Sequence, residues 1–161
     1  MSKPSVYLET SVISYAVARR SRDLVVAAHQ EITREWFAQR AAGFDLFVSQ
    51  LVIAEVSAGD EGAARERLDF AAPIPLLDVT DAAGDLASRL VARGAVPEIA
   101  AEDALHIAVA ATNGIDYLLT WNCKHIANAT MRTKIEAACR EAECEPPIIC
   151  TPEELANEDP S

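Results

Sequence analysis

The chain predicts an α/β domain of three layers, with a central parallel sheet of four to five strands flanked by helices. Three observations carry this expectation. Short runs rich in Val, Ile, Leu and Tyr recur along the chain, each followed by a stretch of helical periodicity. The runs are mostly apolar throughout rather than alternating, as in strands covered on both faces. Gly and Pro punctuate the joins, and no internal repeat or low-complexity block intervenes. At 161 residues, 50% of them hydrophobic, the length suits one domain over 1–150 with a short acidic tail over 151–161.

Ser5 to Glu9 reads as the first strand, with Thr10 and Ser11 as cap candidates for a helix running towards Arg20. A long helix from Asp23 to about Ala42 is marked by Leu24, Ala28, Ile32 and Trp36, with Gly43 as its stop. Strand character returns at Asp45 to Val48, and Ser49 caps a short helix that Gly59 closes. A helix from Glu61 to Phe70 leads into Pro73 to Val79, an edge strand limited by its two prolines. Thr80 caps a helix carrying Leu86 and Leu90, punctuated by Gly94 and Pro97. Ile99 to Asn113 forms the next helix, ended by Gly114. Asp116 to Thr120 is a strand, Ala129 to Arg140 a helix and Pro147 to Cys150 the last strand, with fraying from about Asn157.

No apolar run approaches the ~18 residues that span a bilayer. The N-terminus enters a strand without a charged and then apolar leader, so a cytoplasmic protein with no membrane partner is expected. Cys123, Cys139, Cys144 and Cys150 lack paired C-x-x-C spacing and are expected as reduced thiols. His29, His106 and His125 lack an H-x-x-x-H or H-E-x-x-H arrangement, and no zinc site is expected.

The net charge of −11 argues against tight non-specific binding to nucleic acid. It leaves room for catalysis in which acids hold a cation and a few basic residues hold phosphate. Glu153, Glu154, Glu158 and Asp159 supply part of the excess, a solubilising feature. Arg19, Arg20 and Arg22 form the one tight basic cluster, either a phosphate track or a solvated helix end.

Three acids stand out by position. Glu9 falls at the carboxyl end of a strand, and Glu55 shares a helical face with Val52, Val56 and Gly59. Asp103 is bracketed by Ile99 and Ile107 in a first turn, where the helix dipole favours its ionised form. Singly, each has a plain alternative as an exposed or helix-stabilising charge. Together, at the end of a parallel sheet where ligands gather, they would repel one another without a shared cation such as Mg2+ or Mn2+. Asn122 follows the strand ending in Thr120, to hold a water or a phosphate or simply to make a turn. Thr10 and Ser11 have a second role open to them in orienting the water shell of a cation. Lys124 and His125 either touch substrate phosphate or belong to a solvated loop.

Taken together, YLETSVIS, SQLVIAEV, EDALHIAVA and DYLLTWNCKHIAN resemble the PIN domain family in order and spacing, over residues 5 to 150. Within it they resemble the VapC-like toxin ribonucleases of bacterial toxin–antitoxin pairs. The resemblance implies a parallel sheet flanked by helices, Mg2+ or Mn2+ held by clustered acids, and endonucleolytic hydrolysis of RNA. Its motif positions fall on Glu9, Glu55, Asp103 and Asn122, the first three as metal ligands. It also implies homodimers and a cognate antitoxin.

Two positions depart from the family pattern. Glu9 stands where Asp is usual and reaches further by about 1.5 Å, one carbon–carbon bond. Asn122 removes one negative charge and lowers affinity for a second cation, which leaves one tightly held ion and a pair equally open. Those departures also motivate the alternative of a catalytically weak or inactive PIN-like module that binds protein or RNA.

Overall fold

In the computed structural model, which describes residues 2–156, the apolar runs form one five-stranded parallel sheet. The strands are β1 (Ser5–Leu8), β2 (Asp45–Ser49), β3 (Leu76–Leu77), β4 (Tyr117–Leu119) and β5 (Ile148–Cys150). Their order across the sheet is β3-β2-β1-β4-β5. Val6 pairs with Leu46 on one side and Tyr117 on the other, which places β1 at the centre. Val6, Tyr7 and Leu8 are completely buried, as are Val48, Leu118 and Leu119. Burial on both faces is the reason these strands read as unbroken apolar runs.

The helices are α1 (Thr10–Val17), α2 (Leu24–Gln39), α3 (Gln50–Val56), α4 (Glu61–Ala71), α5 (Asp81–Ala92), α6 (Ala101–Thr112) and α7 (Ala129–Glu141). Asp23, Ser49, Asp60 and Thr80 cap α2, α3, α4 and α5 by accepting a backbone N–H with their side chains. Gly94 and Gly114 end α5 and α6 with φ of 70° and 68°, a left-handed backbone that glycine adopts without strain. Among the described residues no helix is long and apolar enough to cross a membrane.

Several local expectations are corrected. Thr10 and Ser11 do not cap α1. The cap position belongs to Glu9, and the two hydroxyls turn towards carboxylates instead. α2 ends at Gln39, and Gly43 closes a separate 3-10 turn over Ala41–Gly43. The buried face of α2 is Gln30, Thr33 and Trp36, whereas Leu24 is 83% exposed. Ile99 lies in a 3-10 turn ahead of α6 and is 93% exposed, so it does not bracket Asp103 on an inward face. The edge strand shrinks to Leu76–Leu77, because Pro73 and Pro75 lack the N–H groups a longer ladder needs.

Beyond β5 the chain remains attached. Thr151 and Pro152 are buried, Thr151 N–H donates to Glu154 Oε1 at 3.0 Å, and Leu155 and Ala156 rest on the core. The expected fraying from Asn157, with Glu158 and Asp159, lies outside the described residues.

All four cysteines are free thiols. Burial pushes the Cys139 thiol up to about 11 and the Cys150 thiol up to about 12. Thiolate is the reactive form, so both are protected in the folded chain. Alkylation of native protein at pH 8 is expected to label exposed Cys123 first and to spare Cys139 and Cys150 until denaturant is added, as read by mass spectrometry of the digest.

Candidate metal centre

The strand order reverses direction at β1: the chain first winds outwards through β2 to β3, then returns to β4 on the other side of β1. Such a switch point leaves a crevice beyond the carboxyl ends of the strands. Glu9 follows β1 directly, and Thr120 follows β4. Glu9 is only 5% exposed, and its Oε1 accepts hydrogen bonds from Thr120 Oγ1 at 2.6 Å and Ser11 Oγ at 2.5 Å. Each of those hydroxyls in turn accepts a loop amide at 2.9 Å, Ser11 from Trp121 N–H and Thr120 from Asn122 N–H. The loop after β4 therefore aligns both donors on a buried carboxylate, which without them would be costly to hold.

Glu55 arrives from α3. Its Oε1 accepts from the Thr10 hydroxyl and from His106 Nε2 at 2.7 Å. Burial raises the Glu55 pKa, but the hydrogen bond and charge of His106, with the Thr10 hydroxyl, outweigh it and hold the carboxyl below its ordinary range. Exposed Glu102, at the start of α6, shows the opposite effect: its hydrogen bond to Glu55 and the charge there raise its pKa.

His106 was missed by the sequence reading. It is 1% exposed, and its Nδ1 lies 2.8 Å from Tyr7 Oη, which lies 2.7 Å from Ser49 Oγ. Burial raises the Tyr7 pKa, with the charges of Glu9 and Glu55 acting in the same direction, so the phenol keeps its proton. A sequence signal existed: His106 is a lone titratable residue in the apolar stretch LHIAVA, the same anomaly that drew attention to the acids. Zinc-type histidine spacings do not reveal it, because its partners Tyr7 and Glu55 lie on distant segments.

Glu9, Glu55 and His106 each offer a ligand atom, and these atoms lie within 4.8 Å of one another. An octahedral Mg2+ with ligands at about 2.1 Å spans about 4.2 Å between opposite atoms, close to this separation. Two carboxylates suit Mg2+ or Mn2+, and the imidazole widens the choice among transition metals. The donor set fits a divalent cation.

The other expected residues stand around this cluster. Asp103, one-fifth exposed, is outside it, with Oδ2 3.1 Å from His125 Nδ1. Asn122 makes a turn: its Oδ1 accepts His125 N–H at 3.0 Å, and its carbonyl accepts Ile126 and Ala127 N–H. Lys124 is exposed in that loop, as are Arg19, Arg20 and Arg22 after α1. The Trp121 ring stacks on His29 at 4.0 Å and lies 6.2 Å from Tyr15, while its Nε1–H donates to Thr33 Oγ1 at 2.7 Å.

Fold and pocket together define a class: an α/β domain with carboxylates gathered beyond the ends of its central parallel strands. Within that class the chain belongs to the PIN domain family, which it matches over residues 6–125. PIN domains are generally nucleases. The crystal structure of VapBC2 from Rickettsia felis bound to a DNA fragment from their promoter contains a chain of similar fold, with a TM-score of 0.56 at 17% identity. That alignment covers 91% of this chain and 97% of the other. No curated protein matches the sequence.

Proposed function

We propose that this protein is a Mg2+- or Mn2+-dependent endoribonuclease, a hydrolase that cuts RNA phosphodiester bonds, and the toxin of a type II toxin–antitoxin pair. The observation that carries the reading is the convergence of Glu9 and Glu55 into one partly buried cluster, from segments far apart in sequence, in a chain of the PIN family. The likeness of fold to a chain of a VapBC complex supports the toxin assignment. RNA as substrate, a cognate antitoxin, a homodimer and a cytoplasmic location complete the reading, with residues 1–150 as the nuclease domain.

Glu9 and Glu55 would hold the cation, and Asp103 would join them if its contact with His125 were released. A divalent ion bound there would offset the charge of the scissile phosphate and lower the pKa of a water for in-line attack. Thr10 and Ser11 keep the two carboxylates oriented, a carboxylate of the cluster accepts the proton that the attacking water loses, and the P–O bond to the 3′ oxygen breaks as that oxygen leaves and takes a proton from solvent. Lys124, His125 and the Asn122 amide face the phosphate from the loop after β4.

The test is cleavage of structured RNAs by purified protein with Mn2+, beside Asp103→Asn. Metal-dependent cutting by the parent and loss of it in the variant are expected. A parent that cuts no RNA points instead to a catalytically weak or inactive binding module, the reading favoured by the capture of Asp103 by His125. Because the cation relieves repulsion between Glu9 and Glu55, EDTA-stripped protein is also expected to gain about 2.7 kcal/mol of unfolding free energy at Mn2+ one hundred-fold above its Kd. Urea titration with and without Mn2+ measures this.

A further inference from the structure

Ser49, Tyr7 and His106 form a buried row that ends on Glu55, and the chemistry above uses none of the three. Val52 N–H donates to Ser49 Oγ at 3.4 Å as part of the α3 cap, and the serine hydroxyl also meets Tyr7 Oη. The phenol holds His106 Nδ1 at 2.8 Å, which turns Nε2 towards Glu55 Oε1 at 2.7 Å, where an N–H donates to the carboxylate. The reverse tautomer would set a nitrogen lone pair against a carboxylate oxygen at 2.7 Å, a repulsive contact. Every member of the row has a partner, from Ser49, which caps α3, to the acid near the end of the same helix.

We propose that His106 is a positioning residue: its Nε2–H, aimed by the contact of Nδ1 with Tyr7, holds the Glu55 carboxylate in the orientation that receives the divalent cation. Tyr7, which touches neither metal nor substrate, thereby sets how tightly the cation is held. This inference rests on the metal-dependent nuclease reading. It differs from a role for His106 as a ligand in its own right, which the separation of the three donor groups also permits.

The experiment measures Mn2+ binding by calorimetry and half-maximal Mn2+ for RNA cleavage in the parent, Tyr7→Phe, His106→Gln and His106→Ala. It adds 15N NMR of the imidazole groups in metal-free protein. Loss of groups that orient metal ligands weakens metal affinity by about 10–100-fold. Tyr7→Phe, which keeps the ring and loses the donor, is expected near the lower figure and His106→Ala near the upper. His106→Gln is expected to recover most of the affinity, because its amide N–H reaches towards Glu55. The losses are expected in the Mn2+ concentration required rather than in the maximal rate, and the NMR spectrum should show His106 protonated on Nε2.

Parent-like Mn2+ affinity in both Tyr7→Phe and His106→Ala would overturn the proposal while leaving the nuclease reading intact. So would an Nδ1-protonated ring, or loss of affinity in His106→Gln as deep as in His106→Ala, which would make His106 a ligand. A parent that takes up no Mn2+ and cuts no RNA removes the nuclease reading and this inference with it. If His106→Ala does not fold, Tyr7→Phe and the parent's NMR tautomer decide the matter.

Discussion

Glu55→Gln is expected to lower Mn2+-dependent RNA cleavage by on the order of 10²–10⁴-fold while leaving the fold intact. The amide has the shape of the carboxylate and its oxygen still accepts from His106 and Thr10, so packing and hydrogen bonds at Oε1 survive. What is lost is the charge. A bound metal supplies several kcal/mol of transition-state stabilisation, and each ~1.4 kcal/mol is tenfold in rate. Initial rates at fixed RNA over a range of Mn2+, with circular dichroism as the control for folding, check the result. Activity within threefold of the parent at all Mn2+ concentrations would remove Glu55 from the proposed site.

The largest effect on stability is expected at Trp36. Its side chain is 1% exposed, meets Phe37 edge-on at 5.1 Å and stacks with Phe44 at 5.7 Å. Phe37 in turn meets Phe70 of α4, and Phe44 meets Tyr117 of β4, so this residue ties α2 into an aromatic row that crosses the domain. Trp36→Ala is expected to cost about 3–5 kcal/mol, the range for truncating a large buried aromatic. Trp36→Phe should cost far less. The indole Nε1–H of Trp36 is buried without a hydrogen-bond partner, so its removal returns part of the energy lost with the ring. Urea midpoints for the two variants, with unchanged slopes, measure the difference.

The layered fold was legible because strands buried on both faces leave continuous apolar runs, and VYL, FVS and YLL mark three of them. Helix starts were legible where a side chain accepts a backbone N–H, as at Asp23, Ser49 and Thr80. The stripe on α2 was not, because Gln30 and Thr33 take inward positions through hydrogen bonds that hydropathy does not register. Ile99 misled for the opposite reason: a 3-10 turn breaks the helical phase and sends an apolar residue outwards.

At the site, the convergence of Glu9 and Glu55 followed from charge and position. The presence of His106 rather than Asp103 in the tight cluster did not, since the two are three residues apart on α6 and Asp103 pairs with His125, a contact from a separate loop. Thr10 and Ser11 do not cap α1, and their hydroxyls donate to Glu55 and Glu9, contacts that sequence position alone does not reveal because the carboxylates come from a strand end and a distant helix.

The tie from Thr120 to Glu9 has a consequence for how the protein is made. Glu9 acquires its hydrogen-bonded setting from a segment 111 residues further along, so a nascent polypeptide carries this glutamate without the hydroxyl that anchors it. The pair is complete only once β4 has been synthesised and has docked beside β1.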